Sequence, residues 1–190
     1  MTLNVDVTPT AFDQVHEEWL PGLTPYAYQY RVLELTRQAF ATNETLCIFL
    51  TTPTGSGKTL ASYAYSILTG KPALGVYPTN ELIRDQKRAL APKYEEVQGW
   101  DEWVLQIDSK QLDKWGLDLD EPRHSQALEI ILHWQQIILT NPDILFYIAF
   151  GQYPDINGLR HRLYARLSDI YRITIFDEFH LYNIKQMADV

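Results

Sequence analysis

The chain has 190 residues and a formal net charge of −8, with 46% hydrophobic and 21% charged residues. That length suits one domain with a real core, or one lobe of a larger machine, and the acidic balance argues against a protein that coats nucleic acid by bulk attraction. No apolar run reaches the ~18 residues of a membrane helix, the N-terminus lacks the pattern of a secretory signal, and the lone Cys47 leaves no disulfide or cysteine zinc site and suits a reducing cytoplasm.

Residues 1–24, broken by Pro9 and Pro21, are expected to form an N-terminal extension, and 25–190 a single α/β lobe with an insertion at 92–124. Tyr26 to Ala41 carries apolar residues at helical spacing. Leu46 to Leu50 (LCIFL) is a short apolar run of the kind buried on both faces of a parallel sheet. Thr51 to Thr59 is a glycine-containing loop, and Leu60 to Leu68 a helix stopped by Gly70 and Pro72. A strand over Ala73 to Tyr77 and a helix over Glu81 to Leu90 follow. Within 92–124, Val104 to Ile107 reads as a strand and the rest as loop, with Trp100, Trp103 and Trp115 packing beneath it or stacking on bases. Then come a helix over Ser125 to Trp134, where β-branched residues leave a strand as the alternative, a buried strand at Ile137 to Thr140, and a helix opened by Pro142 at a favoured first-turn position. A basic amphipathic helix spans Asn157 to Ser168, where Arg160, His161, Arg162 and Arg166 suit a solvated face or phosphate contacts. Ile173 to Phe176 is the last strand. Buried-type strands alternating with helices predict an α/β fold, a parallel sheet flanked by helices, with ligands at the carboxyl ends of the strands.

Two motifs stand at such ends. The first reads TTPTGSGKT over residues 51–59. Gly55 and Gly57 let the backbone turn tightly and approach an anion. The amides of Thr54, Gly55, Ser56, Gly57, Lys58 and Thr59, with the helix N-terminus behind them, form a phosphate cradle for ATP. Lys58 supplies a point charge to the β- and γ-phosphates, and Thr59 a hydroxyl for Mg²⁺. Thr52 stands where kinases and small GTPases have a glycine. The second motif is Asp177-Glu178-Phe179-His180 after the last strand. Asp177 suits Mg²⁺ held through water, Glu178 can polarise an attacking water, and His180 offers one donor and one acceptor. The two motifs carry complementary halves of MgATP chemistry.

A Gly-Ser-Gly-Lys-Thr loop followed by Asp-Glu-Phe-His resembles the DExH-box helicases of superfamily two, which implies a RecA-like P-loop NTPase lobe. The resemblance assigns Gln29 of Tyr28-Gln29 to the adenine edge, which a carboxamide can read with one donor and one acceptor. It assigns Pro78, Thr79 and Asn80 to the nucleic-acid backbone. Thr140 and Asn141 take a phosphate beside a helix start. The longer strings TTPTGSGKTLASY, YPTNELIRDQ, ILTNPDIL and FDEFHLY resemble the helicases of CRISPR-associated type I-D interference systems, from about Tyr26 to Tyr182. This implies movement on single-stranded DNA with ATP hydrolysis, alongside surveillance-complex subunits that include a separate nuclease subunit. None of the five histidines precedes an Asp, so the His-Asp nuclease pair of related proteins is missing. The Ser-Ala-Thr motif and a second lobe with its arginine finger are not in the sequence either. Such a finger is worth about 10³–10⁵ in turnover, so MgATP binding with weak hydrolysis is expected. Restriction-type translocases, RNA helicases and a nucleotide-dependent interaction module share many of these features and stand as alternatives.

Overall fold

The computed structural model describes residues 2–9, 13–15, 19–99, 104–118, 137–149, 165, 167 and 169–182. The chain forms two compact units, Met1–Gly70 with Lys93–Trp100, and Lys71–Pro92 with Asp101–Val190.

In the first unit β1 (Thr2–Val7) pairs in parallel with β2 (Thr45–Leu50), register running from Thr2–Thr45 to Val7–Leu50. Alternation along the strands puts Val5, Val7, Leu46, Ile48 and Leu50 on one face. That face packs on Tyr28, Val32 and Leu35 of α1 (Ala27–Thr42) and Ala61 of α2 (Lys58–Thr69). The spacing of 28, 32 and 35 places those α1 side chains on one helical stripe. Each buried branched side chain contributes roughly 1.5–3 kcal/mol. Asn43 ends α1 and Gly70 ends α2, both in the left-handed conformation that closes a helix by backbone bonds. Two expectations are corrected here. The N-terminal segment contributes strand β1, and β2 is only partly covered, with Phe49 53% exposed.

The second unit holds a parallel sheet of β3 (Ala73–Val76), β4 (Val104–Ile107), β5 (Ile137–Thr140) and β6 (Ile173–Phe176), in the order β4-β5-β3-β6. The two inner strands are buried along their whole length, as continuous apolar runs between helical layers should be. On one face Leu74, Val76, Ile107 and Ile138 pack with Leu112 of α4 (Ser109–Asp118) and Ile144 of α5 (Pro142–Ala149). Every strand is linked to the next by a crossover, so all the carboxyl ends fall on one rim.

The helix after β3, α3, spans Asn80–Gln98 rather than stopping at Leu90, and it carries Pro92 inside. Proline removes one amide donor and bends a helix. Side chains beyond it hold the last turns in the first unit: the Tyr94 hydroxyl donates to the Ser66 carbonyl at 2.8 Å, and the Gln98 Nε2 donates to the Ile67 carbonyl at 2.7 Å. Burial pushes the Tyr94 phenol up to about 12, against the hydrogen bond with Ser66 that lowers it. Within 92–124, β4 falls where the sequence placed it, but 109–118 form helix α4 rather than loop, and Trp115 lies on it. Trp100 and Trp103, the helix at 125–134 and the basic residues Arg160, His161, Arg162 and Arg166 lie outside the described residues.

Candidate nucleotide site and nucleic-acid rim

The phosphate loop leaves β2 directly, and the Thr51 amide still donates to the Val7 carbonyl at 3.1 Å. Gly55 and Gly57 hold φ of +79° and +90°, which side chains rarely adopt. Gly57 caps α2 with no side-chain bond, and the amides of a helix's first turn are the groups that suit an anion. The loop is shaped from α1. The Tyr28 hydroxyl donates to the Ser56 carbonyl at 2.6 Å, and the Gln29 Nε2 donates to the Gly57 carbonyl at 3.1 Å. A Cβ at Gly57 would lie 2.5 Å from that same Gln29 nitrogen. The Gln29 Oε1 accepts from the Tyr26 amide at 2.9 Å, closing a capping box.

Gln29 is 5% exposed, and in this structure it reads the loop and its own helix start. One amide hydrogen and one oxygen lone pair remain beyond those two bonds. Thr52 has a role that the sequence did not reveal. Its hydroxyl accepts from Ser56 Oγ at 2.8 Å, and its carbonyl accepts from the Lys58 ammonium at 3.3 Å. The side chain that replaces a glycine therefore ties the loop across its mouth. Thr54 and Gly55 are exposed, while Ser56, Gly57, Lys58 and Thr59 are half-buried. Glycine curvature, a helix start, an ammonium and a hydroxyl fit a polyphosphate, and the oxygen donors fit Mg²⁺.

The acidic turn belongs to the second unit. The Asp177 amide donates to the Val76 carbonyl at 3.1 Å, extending the β3–β6 ladder by one residue. The Asp177 Oδ1 then accepts from the Glu178 amide at 2.9 Å. Glu178 sits at φ +48° in the left-handed region, a conformation that costs a non-glycine residue free energy. A 3₁₀ turn over Phe179–Leu181 follows, with His180 in its middle. Tyr182 locks the turn from behind: its buried hydroxyl donates to the Val76 carbonyl at 2.8 Å, and its ring meets Phe179 edge-on at 5.4 Å. Burial first, and the Asp177 charge second, raise the Tyr182 phenol well above its ordinary range.

Along the same rim, each following helix is capped by a polar residue. Thr79 Oγ1 accepts from Leu82 at the start of α3 (3.3 Å), Asp108 Oδ1 from Gln111 in α4 (2.8 Å), and Asn141 Oδ1 from Ile144 in α5 (3.0 Å). Asn141 Nδ2 donates to Asn80 Oδ1 at 3.2 Å, so β3 and β5 present a joined amide pair. Thr79 and Asn80 are exposed and Pro78 is half-buried. Thr140 is 2% exposed and its hydroxyl donates to the Ile107 carbonyl at 2.9 Å, which fastens β5 to β4.

A parallel α/β fold carrying a phosphate loop and an acidic turn at strand ends defines a nucleotide-dependent P-loop motor domain. The family model for DEAD/DEAH box helicases matches residues 27–190, and the chain belongs to that family. It is therefore an ATP-dependent nucleic-acid helicase motor domain, of a family that uses ATP, typically with Mg²⁺. No curated protein and no solved structure gives a significant match to the chain. Among the described residues no helix is long and apolar enough to cross a membrane.

Proposed function

We propose that this domain moves on single-stranded DNA in CRISPR interference, beside surveillance-complex subunits and a separate nuclease subunit. The observation that carries the strand-binding part is the exposed amide pair Asn80–Asn141 on the rim, with Thr79 beside it. These neutral donors sit at two helix starts and grip a backbone by hydrogen bonds, which suits a chain of net charge −8 better than bulk attraction would. The DNA and CRISPR parts rest on the resemblance of TTPTGSGKTLASY, YPTNELIRDQ, ILTNPDIL and FDEFHLY to type I-D helicases.

The chain's own groups divide the chemistry. Lys58, which rests on the Thr52 carbonyl, is a mobile cation able to leave that carbonyl for a γ-phosphate. Thr59 and Asp177 are the hard oxygen ligands that the chain offers to Mg²⁺, and the ion would neutralise phosphate charge. Glu178, fixed by its strained backbone, orients a water, and the amides at the start of α2 hold phosphate oxygens. Gln29, with one donor and one acceptor still to give, is the group suited to adenine.

The test is a titration of labelled single-stranded DNA and of RNA of the same sequence, with and without a non-hydrolysable ATP analogue, beside Lys58→Ala. Tighter binding of DNA, changed by the analogue only when Lys58 is present, is expected. Preference for RNA would sink the DNA reading because the 2′-hydroxyl is the chemical distinction. Failure to bind nucleotide would sink the motor reading of the loop.

A further inference from the structure

The second unit has an open, shallow pocket of about 370 Å³ on its edge, lined by Arg84, Lys87, Arg88, Ala91, Pro92 and Gln106. Its position follows from two periodicities. Residues 84, 87, 88 and 91 stand at i, i+3, i+4 and i+7, one stripe of α3. That stripe flanks Ile83 and Leu90, which are buried. Strand β4 ends the sheet, and on it Leu105 and Ile107 belong to the opposite hydrophobic face, so Gln106 faces α3. The pocket is thus the cleft between α3 and the edge strand, floored by Ala91, Pro92 and side-chain stems and rimmed by three cations.

Nothing in the nucleotide chemistry uses this cleft. We infer that it is a subsite for the nucleic-acid strand, holding a phosphate on Lys87 and a base against the Ala91–Pro92 floor. The inference rests on the strand-binding reading above. Three observations support it. The chain carries 24 acids against 16 cations, so three cations within five residues of one helix are a local reversal of charge. The stripe starts one turn beyond Asn80 on the same helix, about 6 Å along its axis at Arg84 and about 12 Å at Arg88. A backbone gripped at Asn80 and Asn141 is therefore within reach of the cleft.

The third observation is a group able to read a base edge. Gln106 gives its Nε2 to Asp108 at 2.7 Å, which orients the carboxamide and leaves its oxygen as an acceptor.

The arginines are partly offset. Arg84 pairs with Glu81 at 2.8 Å and Arg88 with Asp85 at 3.3 Å, all four side chains being more than half exposed. Exposed pairs of this kind are weak and exchange partners readily. Lys87 forms no ion pair among the described residues, which makes it the cation best placed to hold a phosphate. This arithmetic also argues for a single phosphate contact in a shaped cleft rather than a broad basic patch.

The experiment measures binding of a fluorescein-labelled single-stranded oligonucleotide over a range of salt to the full chain, to Lys87→Ala and to Ala91→Trp, with nucleotide affinity read in parallel. Lys87→Ala should lower the salt slope by about one and weaken binding about five- to tenfold. Ala91→Trp, which fills the cleft, should weaken binding by a similar factor without changing the slope. Both should bind nucleotide as the parent does, which shows that they fold. If the parent binds the strand and both variants match it in affinity and slope, the subsite is overturned while the strand-binding reading stands. If the parent binds no strand, that reading fails and takes the subsite with it. Unchanged strand binding with lost binding of a polyglutamate peptide would reassign the cleft to an acidic protein partner and overturn the inference.

Discussion

The phosphate loop and the acidic turn both follow a parallel strand, yet they are held in opposite ways. The loop is shaped largely from outside: two glycines allow its shape, Thr52 ties it to Ser56, and side chains from helix α1, 28 residues earlier in the chain, fix it through Tyr28–Ser56 and Gln29–Gly57. The acidic turn holds itself. Its own Asp177 oxygen accepts the next amide, its Glu178 backbone sits in a strained well, and Tyr182, four residues on, pins it to β3. The first arrangement lets a loop yield to a ligand while its ends stay anchored. The second keeps a carboxylate in one place, as a group that must orient water requires.

The sharpest break of this comparison is Gly57→Ala. The added methyl meets the Gln29 amide at 2.5 Å, and φ of +90° strains any side chain there. The left-handed backbone alone costs about 1–2 kcal/mol. Nucleotide affinity should fall at least about tenfold, by titration calorimetry, since ~1.4 kcal/mol is a factor of ten. Adding Gln29→Ala relieves the contact but not the backbone, so the double variant should recover part of the stability in thermal melts. Full recovery would show that the close approach, and not φ, sets the glycine requirement.

Next come two phenols that differ in what they hold. Tyr28→Phe and Tyr182→Phe each remove one hydrogen bond to a carbonyl, worth about 0.5–1.5 kcal/mol. Both should lower stability by that amount in denaturant melts. Only Tyr28→Phe should weaken nucleotide binding, because only Tyr28 touches the loop. Tyr182→Phe should instead loosen the acidic turn and reduce turnover at unchanged nucleotide affinity. Equal effects on affinity would erase the distinction between a loop shaped from outside and a turn that fixes itself.

Much of this was legible in the sequence. The glycines at 55 and 57, the run ITIF before Asp177 and the apolar strands predicted an α/β fold with parallel strands, and the fold has that form. What escaped depended on partners distant in the chain. Val5 and Val7 read as extension because nothing local reveals that they pair with Ile48 and Leu50. The helix over Glu81 to Leu90 read too short because nothing local reveals that Tyr94 and Gln98 reach Ser66 and Ile67. Thr140 stood out by its string, and nothing local reveals that its hydroxyl bonds the neighbouring strand. Helix α4 could have been found: Asp108 followed three residues later by Gln111 is a helix-start signature, and Asp108 does cap it.

A pH series separates the tyrosines further. Tyr94 has a folded-state value of about 12 against 10.0 for the free phenol, chiefly through burial. A raised phenol keeps its proton in the folded chain, so its stabilisation is whole below pH 10 and is lost as pH rises from 10 towards about 12. Tyr182, raised by burial and then by the Asp177 charge, acts in the same direction and gives way later. Stability measured across that window should fall in the parent and fall less in Tyr94→Phe. An equal fall in both would mean that Tyr94 is not buried in solution as it is here.

The smallest effect has the opposite sign and tests the comparison most directly. Glu178→Gly removes the cost of the left-handed backbone, about 1–2 kcal/mol, and adds the extra chain entropy of glycine, roughly 0.5–1 kcal/mol. The net change should be a stability equal to the parent or up to about 1.5 kcal/mol higher, while turnover is lost with the carboxylate. A chain that becomes more stable as it loses turnover would show that strain at Glu178 is kept for function rather than for folding. A chain destabilised by more than about 1 kcal/mol would show instead that the Glu178 side chain braces the turn. In that case the Glu178 side chain, beside those of Asp177 and Tyr182, would hold the acidic turn.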